Sequence, residues 1–347
     1  MINRTERVHA VDLAKCIAII GVILIHISSD TISYAPIKSR EWLYGVFWGS
    51  VSRGAVPLFF LCSGALLLDP DRELSIRRIW KRNILHLLTA LFFWAAVYKL
   101  YPYIAHGASL RDGIGQSVRE LLLWKHETHL YFLHIMLLVY ALLPATRLIA
   151  AKADRKTLRY LLVLWAVLGV LLPTAKSFGW LDSFSGIPTQ WPLAMAWSAI
   201  GCTLLGFFLK QEPPKPLWGA ALFALGLLIS AGGTVLLSWR AGAVRLMLLE
   251  GFSPGPCMMA AGAFCLCCRI APKLPRRALR AAEFGGKASF CIYLSHLLVQ
   301  KIVIDLGLLP PMAAAVRIPI FAALCLAGSI LIYLPLSRIP GVRRWLI

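Results

Sequence analysis

Lys15 and His26 lie eleven residues apart in "AKCIAIIGVILIHISSD" (residues 14–30), a stretch otherwise apolar enough for lipid. On a continuous helix this spacing gives about 16 Å of rise and about 20° of rotation, so the two side chains share one face. An ionisable group at that depth is costly and needs a partner, water or a function. Asp12 precedes Lys15 by three residues and Asp30 follows His26 by four, so each cation has a carboxylate neighbour along the helix. An imidazole there can take the proton of a hydroxyl near neutral pH, and Asp30 can hold its tautomer or stand in headgroup water. The competing account has Lys15 snorkelling to headgroups and His26 making an interhelical hydrogen bond.

Other residues could join them. Arg53, in "SRGAVPLFFLCSGALLL", cannot shed its charge and therefore needs acceptors, water or an anion; it is a candidate for an oxyanion or an acceptor, or a snorkelling residue. Ser289, Tyr293, His296 and Gln300 recur at helical spacing in "ASFCIYLSHLLVQKIVID" and are expected to face the bundle interior. Ser63, Tyr293 and His296 are candidate substrate-binding residues, whereas Lys301 and Asp305 are expected to form an i, i+4 ion pair. Arg77, Arg78, Lys81 and Arg82 form a basic cluster that topology alone, or phosphate binding, would explain. His126, Glu127 and His129 in "KHETHL" are expected to be solvated, with a ligand contact as the alternative; His86 and His134 read as core histidines.

The elements that must position these residues are membrane helices. Of 347 residues 59% are hydrophobic and only 15% charged, and the mean hydropathy of +0.72 lies outside the soluble globular range. The formal charge of +20 is not a nucleic-acid footprint, because the basic residues fall in short clusters between apolar runs. At about 20 apolar residues per crossing, ten spans are expected near 11–30, 43–68, 83–104, 130–149, 159–176, 191–209, 217–238, 250–268, 288–307 and 313–336, the second interrupted by "SRGAVP". About 24 of the Lys and Arg residues fall on the amino-terminal side and about 9 on the other, which predicts both termini in the cytoplasm. The connection 105–129 is expected to carry a short interfacial helix presenting Val118, Leu121, Leu122 and Trp124. The nine cysteines read as apolar packing residues, and "CLCC" lacks a second ligand cluster, so no metal is expected. The expectation is an all-α polytopic bundle in which residues 1–347 form a single integral membrane domain.

"VDLAKCIAIIGVILIH", "SRGAVPLFFLCSGALLL", "SIRRIWKRNILHLLTALFFW", "HLYFLHIMLLVYALLP" and "ASFCIYLSHLLV", in that order, resemble acyltransferase family 3, the integral membrane O-acyltransferases. The likeness is strongest to the stand-alone WecH-like sugar O-acetyltransferases and extends to the membrane half of VanT-type serine racemases. In that family an arginine followed after ten residues by a histidine marks the first span, and the histidine is catalytic. The resemblance therefore implies catalysis by His26, with Lys15 in the arginine position, where it keeps the charge but loses the bidentate fork. The family's arginine pair corresponds to Arg78 and Lys81, and with Arg82 this cluster is implied to bind acyl-CoA, here acetyl-CoA. The implied partners are that donor, a glycan or lipid-linked sugar acceptor, and the lipid of the plasma (inner) membrane.

The function so expected is transfer of an acetyl or other short acyl group from acyl-CoA to a glycan hydroxyl, with His26, Asp30 and Arg53 as catalytic residues. General-base catalysis and a transient acyl-histidine both fit. A transporter for a small molecule such as an amino acid, or a structural subunit, would also suit polar stripes in an apolar bundle.

Overall fold

Apolar runs that begin at serine, aspartate or proline become helices. Ser39 Oγ accepts from the Trp42 N–H at 3.1 Å and the Asp154 carboxylate from that of Thr157 at 2.8 Å, each satisfying an orphan first-turn donor. Pro216, Pro254 and Pro340 sit in first turns, where a missing N–H is harmless. The computed structural model describes residues 4–71, 74–107, 109–183 and 190–347, and among them there is no strand. In chain order the helices are α1 (Arg4–Tyr34), α2 (Arg40–Ser52), α3 (Ala55–Leu67), α4 (Ile76–Ala105), α5 (Leu110–Leu122), α6 (Tyr131–Ala141), α7 (Leu143–Lys152), α8 (Arg155–Ser177), α9 (Met195–Gln211), α10 (Pro216–Ala241), α11 (Pro254–Ile270), α12 (Arg276–Asp305), α13 (Ala314–Leu336) and α14 (Pro340–Trp345). The protein is an all-α polytopic bundle.

Among the described residues, eight helices are long and apolar enough to cross a membrane, counting α2 and α3 as one span; a ninth arises if Thr128–Ala141 and Leu143–Lys152, bent by 57°, are taken together. The run expected at 191–209 yields α9, a helix of 17 residues that starts only at Met195.

α1 is the hub. It packs against α2, α3, α11, α12 and α13, and Ala14, Ala18, Ile19 and Ile23 on it are at most 1% exposed. Since lipid tails are as apolar as these side chains, close packing and not water exclusion must hold the bundle. Two glycines permit it: a Cβ on Gly64 of α3 would run into the Thr203 carbonyl oxygen of α9, and one on Gly206 into that of Leu61. On the other flank Gly286 lets α12 approach α1, where a Cβ would come 2.7 Å from Asp12 Oδ1.

α4 begins with one turn of α-helix, then a π-helical segment over Ile79–Ile84, before continuing as α-helix. The wider π turn rotates the downstream face relative to a regular helix. α5 forms where an interfacial helix was expected, with Val118, Leu122 and Trp124 just after it exposed. It is tied to α4 by Lys99 Nζ on Glu120 Oε2 at 2.5 Å and by Tyr103 OH to Ser117 Oγ at 2.9 Å. Hydrogen bonds from Lys99, Gln116 and Lys125 pull the Glu120 carboxyl from its ordinary range down to about 2. A depressed carboxyl stabilises docking fully above the unfolded value near 4.3 and loses that contribution as pH falls through the folded value. Hydrogen exchange of residues 113–122 is therefore expected to be flat from pH 7 to about 5, once corrected for intrinsic rates, and to lose protection only between about 4 and 2.

Candidate active site

Four elements converge on one cavity of about 300 Å³. α1 supplies His26; the break between α2 and α3 supplies Arg53; the 3-10 turn before α6 supplies His129; and α12 supplies Tyr293. The break is fixed from behind, because Gly54 sits against α11, where a Cβ would lie 2.9 Å from that of Met259. Arg53 caps α2, its N–H donating to the Ser50 carbonyl. Val22, Val56, Phe59 and Phe132 complete a mostly apolar wall.

Three imidazoles meet at the cavity's inner wall. The His26 ring centroid lies 5.1 Å from that of His296 and 6.2 Å from that of His129, which is 5.5 Å from His296. His129 and His296 are each 1% exposed, while His26 faces the cavity. His296 Nδ1 donates to the Tyr293 carbonyl at 2.7 Å; since a carbonyl only accepts, a proton sits on Nδ1, which leaves Nε2 as the ring's other polar atom. That Nε2 has no partner, nor does Arg53 Nε, and the His129 ring nitrogens make no well-aligned hydrogen bond. Each buried polar group left so costs about 1–3 kcal/mol. Their concentration around one small cavity marks a place kept polar for a ligand or water.

Tyr98 of α4 shapes this wall. Its hydroxyl donates to the Leu294 carbonyl at 2.8 Å and accepts from the Leu298 N–H at 3.1 Å, entering the α12 ladder at the turn that carries His296. The Tyr293 hydroxyl donates to the His129 carbonyl at 2.5 Å, tying α12 to the turn before α6.

A second, larger cavity of about 870 Å³ opens at the end of the bundle rich in Lys and Arg. Lys15, Arg78, Arg82, Lys287 and Arg344 line it, with Asp12 as the acidic side chain among its described lining residues. Lys287 is paired with Glu283 at 2.6 Å, but among the described residues Lys15, Arg78, Arg82 and Arg344 have no carboxylate within 4 Å. So many unneutralised cations around one volume suit a polyanion.

No residue lines both cavities. The wall between them is thin on α12, where Ser289 faces the basic cavity and Tyr293 the other, about 6 Å apart along the axis. On α3 Leu67 lines the basic cavity and Phe59 the His26 cavity, with Ser63 midway between them. Ser63 lines neither, and its hydroxyl donates to the Phe59 carbonyl at 2.9 Å.

A family model described as an acyltransferase domain, that of acyltransferase family 3, matches residues 8–334, nearly the whole chain. The chain belongs to acyltransferase family 3. No curated protein and no solved structure matches it. With its apolar helices the protein is a multi-pass membrane acyltransferase.

The acyltransferase brings some expected residues together and separates others. His26, Arg53 and Tyr293 share a cavity, with His296 packed behind His26; Lys15, Arg78 and Arg82 share the basic one. Asp30 does not meet His26. It is exposed and lines another cavity, of about 330 Å³, with Thr31 and Arg317, because residues 303–321 wall that cavity off from the one His26 faces. Lys81 is exposed and lines no part of the basic cavity, whereas Arg78 and Arg82, four residues apart and so on neighbouring parts of one face, do. Lys301 pairs with Glu127 at 3.4 Å instead of with Asp305, which takes the Tyr101 hydroxyl at 2.5 Å and stands 3.4 Å from His106. His126 is not solvated surface either, its Nδ1 lying 3.1 Å from His134 Nε2. His129, expected in solvent, is the residue sequence reasoning missed. The available signal was its place directly before the apolar run of α6, where a short turn can fold a polar side chain under the helix.

Proposed function

We propose that the acyltransferase moves an acetyl or other short acyl group from cytoplasmic acyl-CoA to a hydroxyl of a cell-surface or lipid-linked glycan, from a position in the plasma (inner) membrane. The observation that carries this reading is the pair of cavities stacked along α1, one cationic with Lys15 and one holding His26. The basic end belongs in the cytoplasm by the charge bias, and there the phosphates of coenzyme A meet Lys15, Arg78 and Arg82. The pantetheine arm then runs the roughly 16 Å to His26. A cavity of about 300 Å³ walled by Val22, Val56 and Phe59 favours a short acyl chain.

In this mechanism neutral His26 takes the proton of the acceptor hydroxyl as its oxygen attacks the thioester carbonyl. Arg53 donates to the oxyanion of the tetrahedral intermediate. Collapse breaks the carbon–sulfur bond, the imidazolium returns its proton to the departing thiolate, and the products are the O-ester and free coenzyme A. His296, packed on the His26 ring, positions it, a part that Asp30, lining a different cavity, does not play.

Reconstituted protein given radiolabelled acetyl-CoA and bacterial surface glycan should transfer label to the glycan; stabilisation by serine with none by acetyl-CoA would support transport instead. Arg53→Ala is expected to lower kcat about 100-fold, with partial recovery in Arg53→Lys. Reversing both Arg78 and Arg82 to Glu should raise KM for acetyl-CoA by about 100-fold or more.

A further inference from the structure

The family match ends at residue 334, yet Arg344 and Trp345 of α14 line the basic cavity. α14 is held there by packing on α4 and by Trp94 Nε1, which donates to the Leu346 carbonyl at 3.0 Å. The Trp345 indole is half-buried, and the Arg344 guanidinium lies 5.0 Å from its ring centroid. Arg344 itself is exposed and has no carboxylate partner among the described residues.

We propose that this carboxy-terminal helix clamps the nucleotide end of the donor, with Trp345 stacking on a purine base and Arg344 holding a phosphate. The inference rests on the acyl-CoA reading above and adds residues that the family match does not contain. Phosphate chemistry alone would be served by Lys15, Arg78 and Arg82, and an anionic phospholipid headgroup would need nothing more. The aromatic side of the cavity is what separates the two ligands. Trp345, Phe290 and His86 all line it, and flat rings beside cations fit a base with attached phosphates. Because α14 meets the bundle mainly through α4, the clamp reports on the donor without touching the His26 cavity.

The test uses the full chain in phosphatidylcholine nanodiscs and titrates adenosine 3′,5′-bisphosphate calorimetrically. Arg344→Glu is expected to weaken binding about tenfold or more. Trp345→Ala should weaken it about tenfold, with recovery in Trp345→Phe, which keeps an aromatic face. The ratio of kcat/KM for acetyl-CoA to that for S-acetyl-N-acetylcysteamine, a thioester without nucleotide, should fall by the same factor in both weakened variants. Binding equal to the parent's in Arg344→Glu and Trp345→Ala overturns the clamp, while a loss in the Arg78→Glu, Arg82→Glu protein would leave the donor reading standing. No binding of the bisphosphate or acetyl-CoA by the parent overturns both. A parallel arm in discs containing phosphatidylglycerol separates the sources of phosphate: if Arg344→Glu changes only lipid retention, the clamp is wrong.

Discussion

His26→Ala lowers acyl transfer to acceptor by about 10²–10⁴-fold, the contribution expected of a positioned general base. Donor binding is expected to persist, because the cationic cavity lies about three helical turns away along α1. Among the described residues His26 makes no hydrogen bond within the protein and faces a cavity, so its removal leaves no buried partner unsatisfied and the variant should insert and unfold like the parent. Single-turnover kinetics extend the prediction to mechanism. Without acceptor, a general base releases no coenzyme A, whereas an acyl-histidine route gives a stoichiometric burst.

Ser63→Trp is expected to block the proposed donor path. Ser63 stands on α3 between Leu67 of the basic cavity and Phe59 of the His26 cavity, so an indole there would obstruct a pantetheine arm crossing from one cavity to the other. Transfer from acetyl-CoA is expected to fall about 100-fold or more, equivalent to at least about 2.7 kcal/mol in the barrier. Ser63→Ala adds no bulk and should lose less than about tenfold. Overpacking can destabilise a helix contact by itself, so adenosine 3′,5′-bisphosphate binding is measured in parallel. Retained nucleotide binding with lost transfer assigns the defect to the passage; transfer by Ser63→Trp at the parent's rate would place the acyl path elsewhere.

The sequence was most legible where one helix carries the argument. α1 is continuous, so the eleven-residue interval between Lys15 and His26 translates into a face and a length with little left to tertiary structure. The buried stripe of Ser289, Tyr293, His296 and Gln300 on α12 followed from helical period in the same way. Arg53 was legible as a break, since an arginine beside glycine cannot continue an apolar span unnoticed.

Residues placed by local departures from a straight helix were not legible. Arg82 and not Lys81 lines the basic cavity beside Arg78, and the π turn over Ile79–Ile84 is a departure from a straight helix that no composition rule marks. Asp30 shows the limit of i, i+4 reasoning, because neighbours on one helix can open onto different cavities when other helices wall them apart. His129 is buried by a three-residue turn before α6, a tertiary outcome hidden within a polar stretch. The Lys301–Glu127 pair joins residues 174 apart in sequence and displaced the local pair expected with Asp305.

In the proposed mechanism a thioester entering from the basic cavity reaches His26. A structure with a non-hydrolysable ketone analogue of acetyl-CoA tests it most directly. Phosphates are expected among Lys15, Arg78 and Arg82, the ketone oxygen at Arg53, and the carbonyl carbon beside His26, close enough for an attacking hydroxyl at about 3–3.5 Å to share the imidazole. An analogue whose acyl end stays on the Ser289 side of the wall, with Tyr293 still closing it from His26, would contradict it.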